Sequence, residues 1–267
     1  MKRTLGFVIC SLLLAVATAQ THKVVIETNM GNMTVMLYDD TPNTTANFLK
    51  KVREGYYDGS LFGRVIPSFM IQGGAPDSKT APPGASIGWG DIKEEIPGEI
   101  RLNHVPKKGA LASPRRDDKV NPQKKSDMSM FFIVQGYTMT REYMKAWEMK
   151  TNESIRKAVK KKMFTQAVKD SLRILKQGDP NAYNRYVRAF NQAMDSVCHK
   201  TPGARYFTEA EKEAYSTVGG AQHLYGEYTI YGEVISGLEV IDKIAELETN
   251  MADRPKTDVR MKIRIIQ

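Results

Sequence analysis

The chain has 267 residues, 26% of them charged, a net charge of +9 and a mean hydropathy of −0.42. That length suits one large domain, or one domain carrying an insertion, and no apolar stretch reaches the roughly 18 residues a membrane span needs. With two cysteines, one inside the expected leader, a disulfide within the mature chain is excluded, and Cys198 is expected to be an inert, part-buried thiol.

The N-terminus reads as an address. Lys2-Arg3 precedes a compact apolar run, Leu5–Ala17, and Ala17-Thr18-Ala19 offers a small-x-small cleavage site. Residues 1–19 are therefore expected to be a signal peptide, with the mature protein exported, in the periplasm, and free of any membrane span. The basic excess is local: residues 137–217 hold 16 Lys/Arg against 9 Asp/Glu, while the rest of the mature chain is balanced. His22, His104, His199 and His223 are scattered without ligand spacing, so no metal site and no cofactor are expected.

From His22 to Gly136 the pattern is written for strands. Lys23–Thr28 and Met33–Tyr38 are β-branched and alternating, with a turn at Asn29–Asn32. Thr41 as N-cap, Pro42 at the first helical position and Gly55 as the stop predict a helix with Ala46, Phe48, Leu49 and Val52 as its buried stripe. Leu61–Ile66 and Ser68–Gln72 read as strands, residues 75–108 as a long surface excursion, and Gly109–Ser113 and Met130–Gln135 as further strands. Beyond residue 137 the period switches to three and four. Ile155 to Leu175 and Tyr183 to Val197 predict two long amphipathic helices broken at Gly178-Asp179-Pro180, and Thr208–Glu211 is a capping box opening a third, short one. Strand pattern returns at Tyr228–Ile235 and Val259–Ile266, with a helix over 237–246. The sum is a mainly β fold: a closed antiparallel barrel of about eight strands capped by two helices, its first part 20–136 and second part 218–267, with a basic helical hairpin inserted over 137–217.

One stretch carries the chemistry. Phe62-x-Arg64-Val-Ile-Pro-x-Phe69-Met70-Ile-Gln72-Gly-Gly74 is similar to the central signature of cyclophilins. Supporting pieces follow in the family's order: Glu27-Thr-x-x-Gly31, Asn47-Phe48, Gly55-x-Tyr-x-Gly59, His104, Gly109-Ala-Leu-Ala112, Ser129-x-Phe-Phe-Ile133, Leu224-x-Gly226 and Gly232-x-Val-x-x-Gly237. The resemblance covers about residues 22–136 and 218–267, not the helical insertion, and periplasmic members with helical inserts share this layout. It implies peptidyl-prolyl cis–trans isomerisation, with proline-containing peptides and unfolded exported proteins as partners.

That reaction asks little of a protein. Twisting an X–Pro amide crosses a barrier of ~18–20 kcal/mol, and a ~10⁴-fold acceleration takes roughly 5–6 kcal/mol. A fixed cation and a few preorganised donors in a dry pocket suffice, without nucleophile or metal. The resemblance assigns Arg64 to hold the substrate carbonyl and meet the prolyl nitrogen as it turns pyramidal. It makes Phe69, Met70, Phe132 and Leu224 walls of the proline pocket, and Gln72 a donor to the substrate backbone that also holds the arginine. The backbone at Pro114-Arg115 would pair with the extended peptide. Departures from the family surround this set: Gly63 and Tyr228 stand where histidine is usual, Ala75 where aspartate is, Met130 for a substrate-binding glutamine, Ser113-Pro114 for Met-Ala, and His223 for the tryptophan of cyclosporin-sensitive members. They imply altered peptide affinity and weak cyclosporin binding. A different reading keeps the fold but makes the chain a peptide-binding or chaperone module with little turnover. A third makes it part of an envelope complex docked through the basic helices. Nucleic acid is not an expected partner, and nothing in the residues specifies an oligomeric state.

Overall fold

The computed structural model describes residues 22–88 and 94–267; the expected signal peptide lies outside the described residues. Eight strands form one antiparallel sheet: β1 Lys23–Thr28, β2 Gly31–Leu37, β3 Phe62–Ile66, β4 Met70–Gly73, β6 Ala110–Ala112, β8 Phe131–Val134, β9 Ile230–Ser236 and β10 Met261–Ile265, in the spatial order β10-β1-β2-β9-β6-β8-β4-β3. A two-stranded ribbon, β5 Glu95–Ile96 with β7 Ser126–Asp127, lies apart.

The sheet curls into a half-barrel and does not close, which corrects the expectation of a closed barrel. Its edge strands β3 and β10 form no ladder; the residues just before them, Leu61 and Arg260, share one isolated bridge. The cause is local. β3 bulges between Phe62 and Arg64, and past the bulge the Val65 N–H donates to the Asp253 carbonyl, 2.8 Å away in the loop before β10. At the other end the strands' first residues still bond across the seam, the Phe62 N–H to the Val259 carbonyl at 3.0 Å and the Met261 N–H to the Ser60 carbonyl at 2.9 Å.

Helix α1, Pro42–Arg53, starts after Thr41 as expected. Ala46 is exposed, and the buried stripe is Thr44, Thr45, Phe48, Leu49 and Val52. The orphan N–H groups of its first turn are met from outside: the buried Glu99 carboxylate accepts from the Asn43 N–H and side chain (3.1 and 2.9 Å) and from the Thr44 N–H and hydroxyl (both 2.8 Å). Helix α7, Leu238–Ala245, buries Val240, Ile241 and Ile244 against the sheet. These two helices and the inner face of the sheet enclose the main core, centred on Ile26, Val35, Phe48, Tyr57, Phe131, Ile133 and Tyr231.

Between β8 and β9 stand five helices, not a simple hairpin: α2 Arg141–Thr151, α3 Glu153–Met163, α4 Gln166–Gly178, α5 Pro180–Lys200 and α6 Glu209–Thr217. The first predicted long helix is broken at Phe164-Thr165, where Thr165 takes an extended backbone ahead of α4 and Phe164 packs edge-on against Phe190. The Asp179 cap and the Thr208–Glu211 capping box form as expected. Cys198 is fully buried beside Val159 and Met194. The segment leaves and rejoins the barrel at one point: Tyr137 and Gly220 exchange both backbone hydrogen bonds at 3.1 Å. A Cβ on Gly136 would lie 2.2 Å from the Gly220 backbone, so only glycine permits this crossing. No helix among the described residues is long and apolar enough to cross a membrane.

Candidate active site

Strand parity builds the site. Val65, Ile71, Leu111, Phe131 and Ile133 point into the main core, so their neighbours Arg64, Ile66, Met70, Gln72, Ala112 and Phe132 face outward. Register then aligns them: Arg64 pairs with Gln72, Gln72 with Phe132, Phe132 with Ala112, and Ala112 with Ile230. One row therefore runs across five strands with a cation at its edge and an aromatic ring at its centre. Beneath it Met70, Ala112, Phe132, Leu224 and Ile230 form a second, smaller apolar cluster, with Phe69 and Tyr228 packed on its rim.

An open cavity of about 110 Å³ sits on this cluster, lined by Arg64, Phe69, Met70, Gln72, Pro114, Arg115, Phe132, Leu224 and Tyr228. Nine of the eleven residues singled out from sequence thus meet around one hollow. The other two flank it. His223, an exposed residue, rests its ring on Phe69, centroids 5.0 Å apart, and partial desolvation holds its imidazole below the ordinary value of 6.5. Met130 lies behind Gln72, whose side-chain amide donates to the Met130 sulfur at 3.7 Å.

One detail differs from what the resemblance implied, and two more are added. Arg64 is held not by Gln72 but by Asp253, with Nε 3.3 Å from Oδ2. The guanidinium of Arg115 is turned to structural partners: Asp118 at 2.5 Å, Glu227 at 2.9 Å and the Glu227 carbonyl at 2.7 Å. From there it underlies the Tyr228 ring at 4.9 Å, and Tyr228 meets Phe132 edge-on at 5.6 Å. The Pro114 carbonyl accepts from the Asp127 N–H at 2.9 Å. Gly63, in turn, has a packing reason: a Cβ there would lie 2.4 Å from Ile87 Cδ1, so a buried isoleucine of the excursion fills the place of a side chain.

The family model for cyclophilin type peptidyl-prolyl cis-trans isomerase/CLD matches residues 23–144 and 150–264. The chain belongs to the cyclophilin family. Among curated relatives, a protein named as a bifunctional phosphatase/peptidyl-prolyl cis-trans isomerase of Streptococcus pyogenes is 32% identical over 89% of this chain, which spans 37% of that relative's length. A peptidyl-prolyl cis-trans isomerase of Staphylococcus aureus is 29% identical over 89% of this chain and 87% of its own. The fold is that of a cyclophilin-type isomerase crystal structure from Cryptosporidium parvum, with TM-score 0.52 at 18% identity, covering 92% of this chain and 98% of that one. A second structure of the Cryptosporidium cyclophilin was determined in the presence of the dipeptide Ala-Pro. In contrast to the expected extent of the resemblance, the cyclophilin match also takes in most of the helical segment.

Proposed function

We propose that the chain isomerises X–Pro bonds in polypeptides that fold after export, with Arg64 as the catalytic group and the apolar hollow beside it as the proline seat. The observation that carries this reading is the row Arg64–Gln72–Phe132, which puts one cation and one amide at the lip of a pocket floored by Met70, Phe132 and Leu224. A proline ring buried there would leave its amide beside the guanidinium. As the bond twists, resonance is lost and the nitrogen gains a lone pair, so a donor fixed at that place binds the twisted state more tightly than either planar isomer. Family membership and the names of the relatives support the reaction class, and the Ala-Pro dipeptide of the Cryptosporidium structure supports the ligand class. The apolar run at Leu5–Ala17 and the Ala-x-Ala site support export to the periplasm. His223 in place of tryptophan supports weak cyclosporin inhibition.

The test is the isomerisation rate of a short X–Pro peptide with purified protein. A rate well above the uncatalysed one supports the reading. A rate equal to it would leave a peptide-binding module.

A further role falls to α2–α6 as a holding arm for non-native clients. Helix α4 has no fully buried residue and Ile174 is 65% exposed, while the whole +7 excess of the mature chain sits on this segment. Replacing 138–219 by a short glycine linker should spare activity on peptides and lower assistance to a refolding protein. Unchanged assistance would remove the arm from the account.

A further inference from the structure

We propose that Asp253 is the positioning residue for Arg64, and that the loop carrying it is built for that purpose. This rests on the reading of Arg64 as the catalytic group. The ion pair itself is half exposed, 41% on the arginine side and 43% on the aspartate side, and pairs that wet add little to stability. The loop behind it is bound far more firmly than such a pair would need.

Asn250 Oδ1 accepts from the Ala252 N–H at 2.9 Å and the Arg254 N–H at 3.1 Å, and the Asn250 N–H donates to the Arg254 carbonyl at 2.8 Å. Arg254, 1% exposed, reaches out of the loop to the Pro82 and Ala85 carbonyls at 2.9 and 2.6 Å, and within the loop to Asp258 at 2.8 Å. The Asp253 carbonyl takes the Val65 N–H, one residue along β3 from Arg64. Asp253 itself is left-handed, φ 59°, one of three non-glycine residues so held among those described. Backbone in that region costs energy and persists where its surroundings impose it.

The outcome is a carboxylate locked to β3 and aimed at the Nε side of the guanidinium. An arginine side chain has several rotatable bonds but a rigid fork. Fixing Nε sets the plane of that fork and leaves the two Nη groups for a substrate. Asp253 thus supplies the hold on Arg64 that the family resemblance implied for Gln72.

Two variants separate the carboxylate from the backbone. Asp253→Gly tolerates φ 59° and removes the acceptor, whereas Asp253→Asn tolerates it and keeps one. With wild type and Arg64→Ala alongside, the X–Pro assay should show Asp253→Gly losing kcat/KM roughly tenfold, mainly in kcat, with Tm unchanged. Asp253→Asn should retain most of the activity. In an Arg64→Ala background Asp253→Gly should cost nothing further. Full activity in Asp253→Gly, or an undiminished loss in the Arg64→Ala background, would overturn the inference. A loss of folding in Asp253→Gly would also overturn it, since the side chain would then be structural. If Arg64→Ala is itself fully active, the reading beneath has failed instead.

Discussion

Gly63→Ala tests how the back wall of the site is built. Its Cβ would lie 2.4 Å from Cδ1 and 2.6 Å from Cγ1 of Ile87, about 1 Å inside the ordinary carbon–carbon separation of about 3.5–4.0 Å. Gly63 is not among the left-handed glycines, so the substitution probes space and not backbone freedom. Ile87 is buried, and either it or β3 must yield, at a cost of about 1–3 kcal/mol. In a chain of this size that lowers Tm by roughly 2–4 °C per kcal/mol. Since Arg64 is the next residue on β3, kcat/KM should fall as well. Ile87→Ala alone should cost about 2–5 kcal/mol through the cavity it leaves. Combined, the new methyl occupies part of that cavity, and the double variant should be at least ~1 kcal/mol more stable than the sum of the singles. Thermal unfolding of the four proteins reads the cycle directly. Strict additivity, or a Gly63→Ala protein as stable as wild type, would refute the contact.

Mild acidification should act in part through His223: because partial desolvation against Phe69 lowers its folded-state value below 6.5, the unfolded chain takes up the proton first. Stability is complete above about 6.5 and falls as pH drops toward the folded-state value; His223→Phe should flatten that part of a Tm–pH curve. Glu99→Ala strands the Thr44 N–H and hydroxyl in a buried place and should cost about 2–4 kcal/mol of stability by denaturant titration. Arg115→Ala removes the support under Tyr228 and should raise KM severalfold while kcat changes little, as read from peptide kinetics.

Much of this was legible in the sequence because its signals are local. The apolar run at Met130–Gln135 marked β8, the resemblance placed Phe132 in the pocket, and Thr41-Pro42 marked the start of α1 to the residue. The stop signals around Gly178–Pro180 were equally plain. What escaped lacked a local signature. Helix α2 buries only Met144, too little for an apolar stripe, and the ribbon of β5 and β7 is two residues long on each side. The break at Phe164-Thr165 has no glycine or proline; a threonine able to cap was its one sign. At the open seam the Val65 N–H donates to Asp253 in the loop before β10, a partner far away in sequence. The hold on Arg64 joins residues 189 apart, and no short-range pattern names such a partner. The same is true of Ile87 behind Gly63.

The proposed catalysis rests on one side chain. Arg64→Ala should leave the fold and Tm essentially unchanged, because the side chain is 41% exposed and its ion pair is wet. It should bring kcat/KM on a short X–Pro peptide down by about 10²–10³-fold, the loss typical of removing one preorganised donor. A folded Arg64→Ala protein that isomerises the peptide as fast as wild type would contradict the account.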